Sequence, residues 1–241
     1  MDDIVELIAS HKFSTQYQAI VDSSTLETYA YEALARFSVN NKNIPPDTMF
    51  ARCHKNLDIF FLLEVHIKKF QLNNRPKGYP LFLNLDPDIC ISEMQIRYWL
   101  NLFDNQKDIV IEIIENLDQA NLEHVRLFIE WLEEYKIRFA LDDFGKDGSL
   151  FSAELTKKSE YIKLDIDFLR HMKVDSSYIE LLRGVVNFAK LSGKKTILEG
   201  VENKEDIELA RLLKIDYIQG FYFKDRFEDI IQKSDIDLYT G

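Results

Sequence analysis

Six short apolar runs, each closed by a polar residue, limit what this chain can fold into more than any other feature. They are Leu81-Phe82-Leu83-Asn84, Ile109-Val110-Ile111-Glu112, Phe139-Ala140-Leu141-Asp142, Tyr161-Ile162-Lys163, Thr196-Ile197-Leu198-Glu199 and Tyr217-Ile218-Gln219. Runs this short and this apolar match strands buried on both faces, as in a parallel sheet. Between them apolar residues recur with helical period. Leu122, Val125, Ile129 and Leu132 share one helix face. Ile179, Leu182, Val186 and Ala189 share another, stopped near Gly193, which suits a C-terminal cap. Ile207, Ala210 and Leu213 mark a third, with Asn203 as its predicted N-cap. Ahead of all these, residues 15–22 and 28–35 read as two extended segments joined by a hairpin turn at Ser23-Ser24-Thr25. Strands alternating with helices at this spacing indicate an α/β fold. Two early strands and six later ones predict a modified TIM (β/α)8 barrel with an antiparallel first strand. An open doubly wound sheet is the structural alternative.

No linker, repeat or low-complexity tract divides the 241 residues, so a single domain spanning 1–241 is expected. The Pro- and Asn-rich pieces 40–46 and 71–80 read as loops. A net charge of −11 argues against gripping polymeric nucleic acid through its phosphates. A small anionic ligand stays compatible with that charge if bound cations supply the local positive field. Cys53 and Cys90 form no CxxC pair, which suits a reducing, cytoplasmic setting. The N-terminus shows no signal-peptide pattern, and no apolar stretch has the length of a membrane segment.

The polar strand ends carry the chemistry. In a barrel of this type the C-terminal strand ends converge on one face, where active sites form. Asn84, Glu112, Asp142, Asp143, Lys163, Asp165, Glu199 and Gln219 should therefore meet, with Glu32 from the second strand of the hairpin. Five carboxylates around one mouth cannot all stay ionised without counter-charge. Oxygen donors of this kind suit Mg²⁺ or Mn²⁺, and two such ions would support in-line displacement at a phosphodiester. Asp142 and Asp143 can both turn inward where a strand breaks into a loop. Lys163 could hold or deprotonate the attacking water or stabilise developing charge, and Gln219 could orient that water. A single acid at a strand end is ordinarily a turn or cap residue; a whole set of them is harder to explain that way.

These residues sit in recognisable motifs. Tyr31-Glu32-Ala33-Leu34-Ala35-Arg36 resembles the signature of EAL domains, which are cyclic di-GMP-specific phosphodiesterases. The resemblance extends over the chain. Tyr17-Gln18-Ala19-Ile20-Val21-Asp22 resembles the opening Y-Q-P-I-V-D, Glu112-Ile113-Ile114-Glu115 resembles E-I-T-E, and Asp142-Asp143-Phe144-Gly145 matches D-D-F-G. Lys163-Leu164-Asp165 resembles K-I-D, Glu199-Gly200-Val201-Glu202 matches E-G-V-E, and Gln219-Gly220 matches the final Q-G. The resemblance implies hydrolysis of cyclic di-GMP to linear pGpG with two Mg²⁺ or Mn²⁺ ions. It implies that Glu32, Asn84, Glu112 and Asp142 ligate one ion and Asp142, Asp143 and Glu199 the other. Lys163 and Gln219 would handle the water, completing a catalytic set with Glu32 and Glu199. Gln18, Leu34, Arg36, Asp165 and Glu202 would contact the substrate, Glu115 would brace the loop after D-D-F-G, and a homodimer would be expected.

The loop after D-D-F-G departs from the family's T-G-Y-S-S-L: it reads Lys146-Asp147-Gly148-Ser149-Leu150, one residue shorter. Ile114 replaces the Thr of E-I-T-E and Ala19 the opening Pro. These changes keep alive a second reading, a catalytically weak domain acting as a cyclic di-GMP receptor or interaction module. The histidines His11, His54, His66, His124 and His171 show no zinc spacing, so surface or packing roles are expected. Gly193-Lys194-Lys195-Thr196 lacks the upstream Gly of a phosphate loop. Trp99 and Trp131, in amphipathic segments, read as core or interface anchors.

Overall fold

Each apolar run becomes a strand whose alternate side chains point to opposite sides of one closed sheet. The computed structural model describes residues 13–39, 42–104, 106–114, 122–148 and 152–231, together with Ile4, Leu7 and Ile8. The barrel strands are β1 (Phe13–Asp22), β2 (Thr28–Val39), β4 (Leu81–Asn84), β5 (Ile109–Ile114), β6 (Arg138–Phe144), β7 (Tyr161–Leu164), β8 (Lys195–Leu198) and β9 (Tyr217–Gln219). From β2 through β4 to β9 each pairs with the next in parallel. β1 runs antiparallel to both β2 and β9 and closes the barrel, as expected for the first strand. Two short strands lie outside the ring: β3 (Lys42–Ile44) extends β2, and β10 (Glu228–Ile231) pairs with β1. The open doubly wound alternative is thereby excluded.

One apolar side chain from each barrel strand fills the interior: Ile20, Ala30, Phe82, Val110, Ala140, Tyr161, Ile197 and Tyr217 form a cluster separate from the outer core. Strand side chains repeat with period two. The next inward positions toward the mouth are therefore Gln18, Glu32, Asn84, Glu112, Asp142, Lys163, Glu199 and Gln219. An apolar plug thus carries a complete polar layer directly above it.

The helices cover the outer faces. They are α1 (Pro46–Cys53), α2 (Leu57–Asn74), α3 (Glu93–Asp104), α4 (Leu122–Glu134), α5 (Ala153–Lys158), α6 (Asp167–Val174), α7 (Tyr178–Leu191) and α8 (Lys204–Leu213). Val125, Ile129 and Leu132 of α4 and Leu182, Val186 and Ala189 of α7 are buried against the barrel as their period predicts. Asn203 caps α8 in a reciprocal box with Asp206. Gly193 follows α7 with φ +71°, the left-handed conformation favoured after a helix end. Trp99 is buried and donates Nε1–H to Ile89 O at 3.1 Å, whereas Trp131 is half-buried.

Both predicted loops hold more structure than expected. Residues 42–44 form β3 and Pro46 opens α1, where its missing N–H costs nothing. Gln71 to Asn74 complete α2. Tertiary bonds hold that last turn: Tyr17 Oη–H donates to Gln71 O at 2.8 Å and Gln71 Nε2 donates to Ala33 O at 3.1 Å.

Candidate active site

The polar layer opens into a cavity of about 850 Å³ lined by Gln18, Glu32, Leu34, Arg36, Asn84, Glu112, Asp142, Asp143, Lys163, Glu199, Glu202 and Gln219. Every predicted ligand therefore reaches one space. Glu32 is at its hub: it accepts from Asn84 Nδ2 at 2.9 Å and from Gln219 Nε2 at 2.6 Å. Asn84 also donates to Glu112 Oε2 at 2.8 Å. Lys163, 1% exposed, places Nζ 2.7 Å from Glu112, 2.9 Å from Glu199, 3.0 Å from Asp142 and 3.5 Å from Glu32.

Adjacent carboxylates on a regular strand would face opposite ways. Here the pairing of β6 with β7 shifts between Leu141 and Phe144, and Asp143 adopts φ +57°. That left-handed residue, uncommon outside glycine, breaks the alternation and turns both carboxylates to the mouth. One oxygen from each of Asp142, Asp143 and Glu199 lies within 4.8 Å of the others. Two glycines hold the neighbouring strand ends together. A Cβ on Gly200, at φ +70°, would meet the Ile166 side chain at 2.3 Å. A Cβ on Gly220 would meet the Val201 backbone oxygen at 2.2 Å. This close approach lets Val201 N–H donate to Gln219 O at 3.0 Å, locking Gln219 beside Glu199.

The remaining predicted contacts fall into place unevenly. Arg36 is half-buried and donates to Gln16 Oε1 at 2.8 Å, and Gln18 donates to the same oxygen at 2.9 Å. Asp165 stands apart from the cavity lining; its Oδ1 accepts from Asp167 N–H at 2.7 Å at the start of α6. Glu115 and Ser149 lie outside the described residues. Several lining groups were not read from the sequence, among them Glu64 and Lys68, a buried ion pair at 2.6 Å on α2, and Asp86 after β4. Their signal is available, because two opposite charges four apart interrupt an otherwise apolar helix face at 63–72. Lys146, singled out for its charge, forms an ion pair with Asp143 Oδ2 at 2.6 Å.

Five carboxyl groups thus face two ammonium groups, a formal excess of three acids over bases around the mouth. Glu112 Oε1 and Asp142 Oδ1 lie at ion-pair distance from Lys163 but receive no aligned hydrogen bond. Oxygen donors with surplus charge and unfilled acceptors fit divalent cations. In the metal-free layer burial, joined by Asp142 and Glu32, pushes the Glu199 carboxyl up to about 8. Burial likewise raises Asp142, and raises Glu112 well above the carboxylate range. Burial opposes ionisation of Glu32 too, yet Lys163 and the Gln219 hydrogen bond hold its pKa below normal. Lys163 is desolvated, and the four carboxylates outweigh that and keep it an ammonium.

A pH dependence follows. Three acids with raised pKa keep protons in the folded protein that the unfolded chain releases above about 4.5. The folded state then binds more protons, so stability falls as pH rises from about 4.5 through 8, one group, Glu32, acting the other way. At about 1.4 kcal/mol per pKa unit and 2–4 °C per kcal/mol, the Glu199 shift alone corresponds to a drop of roughly 8–16 °C in the melting temperature in chelator between pH 5 and 8. Divalent cation should reverse the drop, most strongly at pH 8. Thermal unfolding with and without Mn²⁺ checks this; a melting temperature that rises with pH in chelator would contradict it.

Comparison with known proteins agrees with this geometry. The EAL domain family model matches residues 1–225. The cyclic di-GMP phosphodiesterase TpdA of Vibrio parahaemolyticus is 24% identical over 225 residues, which cover 91% of this chain. The chain spans only 38% of the length of that relative. Among solved structures, the PaMucR phosphodiesterase in complex with c-di-GMP superimposes with a TM-score of 0.77 at 18% identity, covering 98% of both chains. The Bacillus subtilis YkuI protein, solved with c-di-GMP and calcium, gives a TM-score of 0.78 at 18% identity, covering 98% of this chain and 61% of that one. These structures establish the shared barrel. With a family match over nearly the whole length and every motif of the signature lining one mouth, the chain belongs to the EAL domain family.

Proposed function

We propose that this single domain, 1–241, is a phosphodiesterase that hydrolyses cyclic di-GMP to linear pGpG with two divalent ions, Mg²⁺ or Mn²⁺. The observation that carries this reading is the unbroken layer of Glu32, Asn84, Glu112, Asp142, Asp143 and Glu199 at the barrel mouth. Glu32, Asn84, Glu112 and Asp142 would hold one ion, and Asp142, Asp143 and Glu199 the other. Bound there, the ions supply a nucleophilic water at neutral pH and charge stabilisation for phosphodiester displacement. Arg36 on the cavity wall offers a guanidinium to a substrate phosphate. Gln18, Leu34 and Glu202 line the same wall beside the substrate. Gln219 orients water by hydrogen bonding. Lys163 is an ammonium while four carboxylates surround it. Once those charges are compensated, only burial acts on it, its pKa falls, and it can take a proton from water. The names of curated relatives such as TpdA, and the c-di-GMP held by PaMucR and YkuI, support the substrate.

Chromatography of products after incubation with cyclic di-GMP and Mg²⁺ or Mn²⁺ tests the reading; binding without pGpG would replace it with a receptor. One observation favours that second reading. Lys146 pairs with a carboxylate oxygen of Asp143, a proposed ligand of the second ion. Exchanging a 2.6 Å ion pair for a metal bond should weaken that ion's affinity. Lys146→Thr is therefore expected to tighten Mn²⁺ binding by about tenfold, equivalent to about 1.4 kcal/mol. Isothermal titration of the metal-free protein measures it, and an unchanged affinity would show that Lys146 does not compete.

A further inference from the structure

A second group of ligating side chains stands on the rim of the same mouth and has no part in the layer above. His54 follows the last turn of α1 and faces the turn after β4, which carries Asp86 and Asp88. His54 Nε2 is 3.0 Å from Asp86 Oδ2 and 3.7 Å from Asp88 Oδ2. The opposite ring nitrogen, Nδ1, is 2.8 Å from Phe50 O. A carbonyl oxygen only accepts, so Nδ1 carries the proton. In a neutral ring Nε2 then presents a lone pair to two carboxylates, an all-acceptor set that a bound cation would satisfy.

The arrangement matches a metal site in three respects. Ligand atoms bound at about 2.0–2.2 Å with angles between 90° and 109° lie roughly 3.0–3.5 Å apart, close to the spacing seen. An imidazole that binds a metal typically donates its other N–H to a carbonyl, which fixes the ring; Phe50 O does so here. Asp86 Oδ1 is engaged by Asp88 N–H at 2.9 Å, which aims Oδ2 at His54.

An independent feature points the same way. Glu64, 3% exposed, lines the cavity together with His54 and Asp86. Its Oε2 accepts from Lys68 Nζ at 2.6 Å, but its buried Oε1 has no hydrogen-bond partner. Asp86, Asp88 and Glu64 against Lys68 leave two negative charges, the charge of one divalent ion.

We propose that His54, Asp86 and Asp88 bind a divalent transition-metal ion of the Zn²⁺ or Mn²⁺ class, with Glu64 adding charge behind them. One imidazole nitrogen among carboxylates selects transition metals over Mg²⁺ and Ca²⁺. The ion fastens the end of α1 to the turn that follows Asn84, and so stiffens one wall of the mouth. The proposal is independent of whether the chain hydrolyses cyclic di-GMP.

The test is pulsed electron paramagnetic resonance of the metal-free full chain titrated with Mn²⁺ alone. The carboxylate layer contains no imidazole, so ¹⁴N coupling to bound Mn²⁺ reports on a histidine ligand. The expected result is a single-imidazole coupling in the wild type, retained in Glu32→Ala and lost in His54→Gln, with one fewer Mn²⁺ bound by equilibrium dialysis. Asp88→Asn, a milder change, should weaken that ion at least tenfold. Absence of ¹⁴N coupling in the wild type at saturating Mn²⁺, or coupling that survives His54→Gln, would overturn the assignment.

Discussion

Glu32→Ala is expected to reduce turnover of cyclic di-GMP by on the order of 10³-fold or more, a loss of about 4 kcal/mol of transition-state stabilisation. The size follows from its place in the layer. Glu32 accepts from Asn84 at 2.9 Å and Gln219 at 2.6 Å and lies 3.5 Å from Lys163. Truncation removes one proposed metal ligand and frees the amide that should orient water, together with the amide of a second ligand. The loss should appear mainly in kcat, because Arg36 and Glu202 on the cavity wall are untouched. The fold should survive, since the plug of Ile20, Ala30, Phe82 and their partners lies beneath and is unchanged. Product chromatography under saturating Mn²⁺, beside a thermal melt, decides it. Turnover within tenfold of the wild type would remove Glu32 from the catalytic machinery.

Lys163→Met should produce the largest change in stability. The ammonium is 1% exposed and is shared by Glu32, Glu112, Asp142 and Glu199. Removing one member of a buried ionic set costs about 3–5 kcal/mol, because the charges left behind have no partner. At 2–4 °C per kcal/mol this is a fall of roughly 10 °C in the melting temperature of the metal-free protein at pH 8. The fall should shrink at pH 5, where Glu199, its carboxyl pushed up to about 8, holds its proton and needs no counter-charge. Divalent cation should also shrink it. Scanning calorimetry at the two pH values, with and without Mn²⁺, measures all three effects. An equal loss at both pH values would mean that Lys163 contributes through packing rather than charge.

Lys146 and Asp147 anchor the start of the loop that departs from the family motif. Lys146 pairs with Asp143 at 2.6 Å, while Asp147 Oδ1 lies 2.8 Å from His171 Nε2 on α6 and its N–H donates to Asp167 at 3.1 Å. The loop is therefore tied to the metal-facing carboxylate and to the helix after β7.

The sequence alone determined the eight barrel strands, three of the helical faces and the identity of the polar layer. Those features are local: a strand buried on both faces must be apolar until it emerges, and Asn84, Glu112, Asp142, Lys163, Glu199 and Gln219 are the points of emergence. Each lies two residues beyond a plug residue, and period-two alternation is written into the chain. What only the tertiary structure decided is non-local. Glu32 and Gln219 bond across 187 positions because β1 pairs with β9 to close the barrel. Asp143 reaches the mouth because its backbone turns left-handed against a shifted neighbour, a choice no periodicity encodes. Asp165, which shares a motif with Lys163, falls just past the end of β7, where the alternation no longer applies, and accepts from Asp167 N–H at the start of α6 instead. His54 meets Asp86, and Glu64 opens on the same cavity, only because α1, α2 and the β4 turn pack together. Sequence separation carries no information about such meetings; they exist once the closed sheet brings its strand ends and their covering helices to one rim.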